Sequence, residues 1–316
     1  MRPLAPSLPP GYRCRPWTPG DVPALHALVS DCERDLYGLS RTDAGAVAAD
    51  LTRPGLVPEL DTVLVCDPLG RVVARAWVDR RSEVDVHPEH RGRGLGAALL
   101  DWTLARARQA GTDRVVQTVP DADTGAVALL RAHGYRPLVT AWLLHHVTSA
   151  EPEVPGPPAG ITVRPFRAGD GPAAHVLVQD AFDDWQERRQ EYEEWASHTV
   201  ERPAFAPEQS ALAFAGDDLV GAALALNVPD ANEGYLEQVA VRRDHRGRGI
   251  ARLLLRHIFR AFHRTGVHSC TLWTHSDTGA LGLYLRAGMT VRHSSTVYRK
   301  ELDRPGGRPG AAGAGP

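Results

Sequence analysis

The sequence predicts an α/β protein with mixed sheets, built from two tandem domains that share one fold. The chain has 316 residues, which is enough for about two domains with a hydrophobic core in each. A distinctive motif occurs twice, as HRGRGLG at residues 90–96 and as HRGRGIA at residues 245–251. Each copy follows an apolar, strand-like run and opens an amphipathic helix, which places the motif at a strand-to-helix turn.

Two further landmarks recur in the same order as this motif. They are RPWTPGD at 15–21, which reappears as RPFRAGD at 164–170, and HGY at 133–135, which matches AGM at 287–289. In the first pair a short strand ends in a turn, where Asp21 or Asp170 is placed to cap a helix. The offsets of 149, 155 and 154 residues are nearly constant, and this indicates a duplicated domain.

The duplication implies limits for the two domains. An N-terminal domain is expected over residues 1–148 and a C-terminal domain over residues 161–303. Residues 149–160, SAEPEVPGPPAG, have the proline-rich composition of a stiff, extended linker. Residues 304–316 lack the apolar side chains needed for folding, so a disordered tail is expected there.

Both halves are expected to contain the same series: a strand, one or two helices, two or three strands, the motif helix, a strand, a short helix and a terminal hairpin-like pair. In the first half we predict strands at 62–66, 72–78, 82–86 and 115–119 and helices at 94–110 and 125–133. In the second half we predict strands at 211–215, 219–227, 235–241 and 269–274 and helices at 249–265 and 279–287. Ile250, Leu254, Ile258 and Phe262 repeat every four residues, which predicts a helix face packed on the sheet.

The composition is that of an ordinary globular protein, with 43% hydrophobic and 23% charged residues. The net charge of −2 gives no general attraction to nucleic acid or anionic membranes, and no apolar run suits a signal peptide or a membrane span. A cytoplasmic protein without nucleic-acid or membrane partners is therefore expected. The four cysteines and the histidines of the second half lack metal-ligand spacing, so no metal is expected.

The repeated motif has the properties of a phosphate-binding loop. Glycines at 92, 94, 247 and 249 permit backbone angles that other residues avoid and remove Cβ atoms that would block a ligand. The first amides of the following helix have no partner within it and can point at a phosphate. Arginine and glycine also make ordinary exposed turns, but two copies in matching contexts favour phosphate binding. Nucleic-acid binding through residues 242–249 is a weaker alternative, because acidic residues are interleaved with the basic ones.

A strand, the sequence RGRGLG or RGRGIA, an amphipathic helix, another strand and a short helix ending in GY or GM together resemble the GNAT acyltransferase superfamily. The resemblance covers nearly the whole chain, twice, and tandem members of this superfamily include mycothiol synthase-like proteins. It implies two tandem GNAT-type acyl-CoA N-acyltransferase domains that use acetyl-CoA as cosubstrate and no metal.

In this superfamily the loop binds the pyrophosphate of acetyl-CoA, and the preceding strand lends backbone groups to the pantetheine arm. In the first half the resemblance assigns cofactor binding to Asp85, Val86, His87, Arg91, Gly92, Arg93, Gly94, Leu95 and Gly96. In the second half it assigns cofactor binding to Val239, Ala240, Val241, Arg246, Gly247, Arg248, Gly249, Ile250, Ala251 and Asp277.

Members commonly carry an asparagine and then a tyrosine in the short helix, and the tyrosine protonates the leaving CoA thiolate. These places hold Asp277 and Tyr284 in the second half but Asp123 and Leu130 in the first. Leucine cannot act as an acid, so the resemblance implies catalysis by Tyr284 in the second half. The first half is then expected to be a catalytically degenerate domain that binds CoA or is purely structural. A core aromatic without a catalytic role is the alternative for Tyr284.

The acceptor amine must lose a proton, so a carboxylate near the motif strand is expected to act as base. Glu237 is the first candidate, and Tyr235, Glu237 and Val239 are expected to share one face of the strand. Family members often place a glutamate where Tyr235 stands, so a structural role for Glu237 stays open. Glu233 is the second candidate, and Ser82 takes the place of Glu237 in the first half. The backbone amide of Val239 is expected to stabilise the oxyanion.

The segment DAFDDWQERRQEYEEW at residues 180–195 lies where family members place variable acceptor-binding helices. Its acidic residues can form a wall for a cationic amine, with Trp185, Tyr192 and Trp195 as packing surface. The alternative is a solvated helix with Glu–Arg pairs inside the chain.

Together these patterns predict an N-acetyltransferase whose second half passes the acetyl group of acetyl-CoA directly to a primary amine. The acceptor is expected to be a small-molecule or peptide amine, and an aminoglycoside-like thiol precursor is one option. The protein is expected to be a monomer or a homodimer. A noncatalytic CoA-binding sensor is the alternative from another functional class.

Overall fold

The computed structural model describes residues 3–40, 42–53, 55–79, 81–183, 188–228 and 231–302. The predicted tail at residues 304–316 lies outside them. The chain divides into two compact units, Met1–Thr140 with Ser295–Pro316, called unit 1, and Ala141–Ser294, called unit 2. Among the described residues, no helix combines the length and the apolar character that a membrane span requires.

Unit 1 is a mixed sheet with α4 on one face and α1 and α2 on the other. Its elements are β1 (Arg13–Arg15), α1 (Val22–Tyr37), α2 (Ala44–Leu51), α3 (Pro58–Asp61), β2 (Thr62–Cys66), β3 (Val72–Val78), β4 (Ser82–Val86), α4 (Leu95–Gln109), β5 (Arg114–Pro120), α5 (Thr124–Ala132) and the start of β6 (Arg136–Val147). The strand order is β1-β2-β3-β4-β5, followed by the C-terminal part of β12 (Thr290–Glu301). Only β4 and β5 pair in parallel among these described strands.

Unit 2 repeats this architecture, with α8 on one face of its sheet and α6 and α7 on the other. Its elements are the end of β6, β7 (Ile161–Pro165), α6 (Gly171–Phe182), α7 (Tyr192–His198), β8 (Ala211–Ala215), β9 (Asp218–Val228), β10 (Glu233–Val241), α8 (Ile250–Arg264), β11 (Ser269–His275) and α9 (Leu281–Arg286). The strand order is β7-β8-β9-β10-β11-β6, and β10 runs parallel to β11.

The last strand of each half differs from the prediction. In place of a hairpin-like pair, β6 and β12 are single strands of 12 residues, because neither contains the Gly, Asn or Asp that favours a tight turn. Residues 141–147 of β6 pair with β11 in unit 2, whereas residues 295–301 of β12 pair with β5 in unit 1. The predicted linker at 149–160 has no helix or strand and lies inside unit 2, so the unit boundary does not coincide with the predicted domain limits.

The motif shared by residues 15–21 and 164–170 forms an ion pair in each unit. Arg15 donates two hydrogen bonds to the carboxylate of Asp21, at 2.7 and 2.6 Å, and Arg164 does the same to Asp170, at 2.7 and 2.8 Å. Both aspartates stand at the N-cap position of a helix, but neither caps it with its side chain. At α1 and α6 the helix-capping role predicted for these carboxylates is therefore wrong, because the arginine and an upstream amide occupy their oxygens. The amide bound by Asp21 is that of Thr18, so this carboxylate instead completes a capping box of the 3-10 turn at residues 19–21.

Helix α8 packs as its four-residue period predicts. Ile250, Leu254, Ile258 and Phe262 are all fully buried against the sheet. The approach is closest at Gly234 in β10, where an added Cβ would lie 2.5 Å from the ring of Phe262. This contact fixes the last turn of α8 relative to β10. At the start of α8, next to the motif loop, an added Cβ on Gly221 of β9 would lie 2.9 Å from Ile250.

Candidate active site

The site in unit 2 begins with an irregularity in β10. The register of β10 against β9 shifts between Leu236 and Gln238, so Glu237 is the extra residue of a β-bulge. The parallel pairing of β10 with β11 comprises Gly234 and Tyr235. Beyond these residues β10 and β11 part, and a cleft of about 600 Å³ lies between them.

The bulge changes which way the side chains of β10 point. Leu236 lies in the core beneath α8, but two residues later Gln238 faces the other helices and accepts a 2.9 Å hydrogen bond from the indole of Trp195. Val239 returns to the α8 side. Tyr235 and Val239 therefore point to opposite faces, and the expectation that they share one face is wrong.

The backbone of β10 is exposed along the cleft. The amide of Arg242 donates to the carbonyl of Val220 in the β9 hairpin, at 2.9 Å. Because the hydrogen bonds of an antiparallel strand alternate in direction, the amides and carbonyls of Val239 and Val241 face away from β9. Both residues line the cleft, where the two amides and the carbonyl of Val239 can bind an extended ligand, while the carbonyl of Val241 accepts from Arg246.

The motif loop closes one end of the cleft. Gly247 and Gly249 have φ values of 77° and 81°, and an added Cβ on either would meet no atom within 4 Å. The amide of Leu253 makes the first hydrogen bond of α8, to the carbonyl of Gly249. The preceding amides of the helix have no acceptor within it, so they are available to an anion.

The two arginines of this loop have different environments. Arg246 donates to the carbonyl of Val241 at 3.1 Å and to the carbonyl of Ala181 at 2.9 Å, so it braces the loop against β10 and α6. Arg248 is exposed, and within the described parts of the chain it has no hydrogen-bond or ion-pair partner. Its guanidinium is therefore free to meet a negatively charged ligand.

Tyr284 in α9 reaches the cleft from the side of β11. It is 9% exposed and lines the cleft together with Leu283 and Ala280. Burial and, to a smaller extent, Tyr235 raise the pKa of Tyr284 to about 12. The phenol is therefore protonated at neutral pH.

Glu237 lies at the same cleft, half-buried. Burial raises the pKa of Glu237, while Arg202, 3.8 Å from the carboxylate, and His198 act in the opposite direction. Glu233 has a different environment, because its carboxylate accepts from Arg292 at 3.0 Å and from a serine hydroxyl at 3.2 Å. Of the two predicted carboxylates, the structure brings Glu237 to the cleft.

Most of the second-half residues singled out from the sequence line this cleft. They are Glu237, Val239, Ala240, Val241, Arg246, Gly247, Gly249, Ile250, Ala251 and Tyr284. Arg248 and Asp277 are exposed outside the lining, and Thr278 lines it instead of Asp277. Trp273 also lines the cleft and is 48% exposed. The sequence does not predict this role, because the alternation of side chains along a strand does not reveal which aromatic residue faces a ligand.

The predicted acidic wall is partly neutralised where the structure describes it. Glu194 accepts a hydrogen bond from Arg188 at 2.8 Å, and Asp183 accepts one from Arg189 at 3.0 Å. Such acid–arginine pairs within the chain are what the alternative interpretation predicts. Trp195 is fully buried and holds Gln238 rather than forming an exposed surface. Trp185, Asp184 and Glu187 lie outside the described residues.

Unit 1 carries the matching loop without the matching cleft residues. Its β4 pairs with β3 from Ser82 to Val86 without a register shift, so it has no counterpart of the bulge at this pairing. Asp85 is predicted to contact the cofactor, but its carboxylate accepts a 2.6 Å hydrogen bond from Arg75. Leu130 is fully buried at the position of Tyr284.

The loop of unit 1 is also in contact with the N-terminal segment, residues 4–12. Tyr12 is hydrogen-bonded to His90 at 2.9 Å and receives a 3.3 Å hydrogen bond from Arg93. Pro9 lies 3.6 Å from the place where a Cβ on Gly94 would stand. The equivalent glycine and arginine of unit 2 have no such neighbours among the described residues, so the two copies of the motif are unequal.

Comparisons with known proteins agree with this geometry. The model of the acetyltransferase (GNAT) family matches residues 65–135 and 174–289. A mycothiol acetyltransferase of Nocardioides sp. is 30% identical over 68% of this chain and 79% of its own length. A second, from Catenulispora acidiphila, is 28% identical over 69% of this chain and 71% of its own length.

Solved structures share the fold. A GCN5-related N-acetyltransferase from Sphaerobacter thermophilus is 33% identical, with a TM-score of 0.70 over 95% of this chain and 98% of that chain. A tandem GNAT protein from the clavulanic acid biosynthesis pathway is 19% identical, with a TM-score of 0.58 over 92% of this chain and 98% of that chain. The predicted family, fold class and enzyme class are thus confirmed: the chain belongs to the GNAT acetyltransferase family, as an N-acetyltransferase with two tandem GNAT domains.

Proposed function

We propose that unit 2 transfers the acetyl group of acetyl-CoA directly to a primary amine, and that unit 1 does not turn over. The observation that supports this most is the cleft of about 600 Å³, which is lined by the motif loop, the bulged β10, Glu237 and Tyr284 together. In unit 1 the corresponding acid position holds Leu130.

In this proposal the pyrophosphate of acetyl-CoA lies on the first amides of α8, with Arg248 adding positive charge. The backbone groups of Val239 and Val241 hold the pantetheine arm between β10 and β11. The thioester then lies between the bulge and Tyr284, because both line the cleft beyond the loop.

Each group has one role in the reaction. The amine nitrogen attacks the thioester carbon, and the amide of Val239 donates to the oxyanion of the tetrahedral intermediate. The amine proton passes to Glu237, directly or through water. The carbon–sulfur bond breaks, the acetyl group stays on nitrogen, and the CoA sulfur takes the phenolic proton of Tyr284.

Two relatives are named mycothiol acetyltransferase, which supports testing an aminoglycoside-like thiol precursor as acceptor. Polyamines, amino acids, aminoglycosides and peptide amino termini complete the set of amines to be compared. Glu237 lines the cleft with its carboxylate 3.8 Å from Arg202, so the acceptor amine would approach this ion pair.

The test is thiol release from acetyl-CoA with this set of amines, measured beside the affinity for CoA. We expect turnover with at least one amine and one acetylated product per thiol. Tight CoA binding without turnover for any of the amines would instead indicate the noncatalytic sensor.

A further inference from the structure

A short turn in unit 1 brings together three metal-ligating side chains that acetyl transfer does not use. It connects β4 to the motif loop and has the sequence HPEH at residues 87–90. One ligand atom each from His87, Glu89 and His90 lie within 4.8 Å of one another. Two imidazoles and a carboxylate form a common three-ligand set for zinc, which leaves a fourth position for water.

Both imidazoles are also held by outer partners, as metal-binding histidines usually are. His87 donates from Nε2 to the carboxylate of Asp31 at 3.3 Å. Its Nδ1 accepts from the amide of Glu89 at 3.2 Å, so the one lone pair of that nitrogen points into the turn, and an ion bound there would replace this hydrogen bond. Nδ1 of His90 lies 2.9 Å from the hydroxyl oxygen of Tyr12, and in the tautomer that donates from Nδ1 the other nitrogen carries the lone pair that can coordinate.

An ion can reach this turn. His87, His90 and Asp31 line a cavity of about 470 Å³ in unit 1, and Glu89 is exposed beside it. The two arginines that also line the cavity, Arg15 and Arg71, are each paired with an aspartate. Their positive charge is therefore largely compensated.

The second copy of the turn lacks this set. At the places of His87, Glu89 and His90 it has Arg242, Asp244 and His245, and Arg242 is paired with Asp244 at 2.8 Å. The expectation of no metal rested on the cysteines and on the histidines of the second half. The set in the first half differs from both, because its three ligands lie within one four-residue turn.

We infer that His87, Glu89 and His90 bind one divalent transition-metal ion, of which Zn²⁺ is the representative, and that Asp31 orients His87. The set belongs to unit 1, so it is separate from the proposed acetyl-transfer cleft in unit 2. Its ligands join β4 to the motif loop of unit 1.

The test is a Zn²⁺ titration of the tag-free full chain in competition with a chromophoric chelator, with Co²⁺ absorption as a second readout. We expect one ion per chain and the visible spectrum of four-coordinate Co²⁺. His87→Arg, which copies the second turn, and Glu89→Gln should each lower the affinity at least about tenfold, and Asp31→Asn about tenfold.

His268→Gln is the control, because His263 and His268 have nitrogens 3.1 Å apart elsewhere in the chain. This variant should bind like the wild type, and thermal unfolding of each metal-free variant checks its fold. Glu89 is exposed, so its variant keeps the test valid if His87→Arg does not fold. No binding by the wild type, loss of the ion in His268→Gln, or wild-type affinity in both His87→Arg and Glu89→Gln would overturn the inference.

Discussion

Burial acts on the two candidate catalytic side chains in directions that suit their proposed roles. It raises the pKa of Tyr284 to about 12, which keeps the phenolic proton in place at neutral pH. It also raises the pKa of Glu237, so this carboxylate holds an abstracted proton more strongly than an exposed glutamate does. One environment, partly closed to water, therefore prepares both a proton donor and a proton acceptor.

Changing Tyr284 to Phe removes the proposed acid and keeps the ring. We expect kcat to fall about 10²–10⁴-fold with little change in KM for acetyl-CoA, because only proton transfer is lost. Steady-state kinetics of thiol release give both constants. Tyr135→Phe, at a buried tyrosine of unit 1, is the control and should keep the wild-type kcat. An unchanged kcat in the Tyr284 variant would mean that another group supplies the proton.

Changing Arg202 to Gln should move the pH profile. Arg202 lowers the pKa of Glu237, so its removal lets that pKa rise further, and the base is then deprotonated only at higher pH. The acidic limb of kcat/KM should therefore shift to higher pH, while the activity above the limb changes little. A profile of kcat/KM between pH 5 and pH 9, on the order of one point per half unit, measures the shift.

Arg264→Gln is the matched control for that profile, since Arg264 pairs with Glu151 away from the cleft residues. A shift in the control but none in the Arg202 variant would exclude Glu237 as the titrating base.

The backbone conformation of single glycines could be predicted from the sequence, whereas the neighbours of the candidate site residues could not. The four loop glycines all adopt the positive φ that their pattern predicts. Asp277, carried over from the family pattern, is exposed, and Thr278 beside it lines the cleft. The reason is a 3-10 turn at residues 276–278, whose geometry no alternation of apolar residues encodes.

At the scale of elements, the limits of the strands and helices agree closely with the prediction, but the side-chain directions beyond the bulge in β10 do not. The predicted strands at 62–66, 72–78, 82–86 and 211–215 have the observed limits. The faces of β10 could not be predicted, because Glu237 adds one residue and reverses the alternation after it. A bulge leaves no signature in composition, and this one lies just beyond the residues where β10 pairs with β11.

Helix α8 depends on a glycine in β10. We expect Gly234→Ala to lower the free energy of unfolding by about 1–3 kcal/mol, because the new methyl group would overlap the ring of Phe262. Urea denaturation measures the change. Gly156→Ala, where an added Cβ meets no atom within 4 Å, should leave the midpoint unchanged. Equal midpoints for the two variants would contradict the close packing of α8 on β10.

The two motif loops should differ in CoA binding. Arg248→Ala should weaken CoA binding about tenfold, since it removes an unpaired guanidinium next to the pyrophosphate. Arg93→Ala, the matched change in unit 1, should alter the affinity less than about twofold, because Tyr12 and the carbonyl of Glu89 already engage Arg93. Calorimetry gives the affinities and the stoichiometry, which we expect to be one CoA per chain. Two equal sites, or a larger effect of Arg93→Ala, would contradict this.

For the whole molecule, the duplication could be predicted from the sequence, but the residues that belong to each unit could not. The landmarks at nearly constant offset identify two copies, and both copies fold. They do not reveal that the sheet of unit 1 includes residues 295–301 and that of unit 2 residues 141–147. A strand carries no local signal for the sheet that it joins, because pairing is decided by distant partners.

Fragments test these limits. Residues 141–294 contain every strand of unit 2, so we expect this fragment to fold cooperatively. Residues 149–303, which are the predicted linker and the predicted C-terminal domain, lack the seven residues of β6 that pair with β11 and carry an unpaired end of β12. This second fragment should show a lower urea midpoint or aggregate through its open edge. A midpoint equal to that of residues 141–294 would favour the limits suggested by the sequence.

The late position of the last strand has a consequence for synthesis. Residues 141–294 emerge from the ribosome as one continuous stretch, so unit 2 can close as soon as it is made. The sheet of unit 1, although its first residue is translated first, stays open at β5 until residues 295–301 appear. A stop after residue 294 would therefore leave the later-made unit whole and the earlier one incomplete, so the sheet of unit 1 depends on codons that are translated after the whole of unit 2.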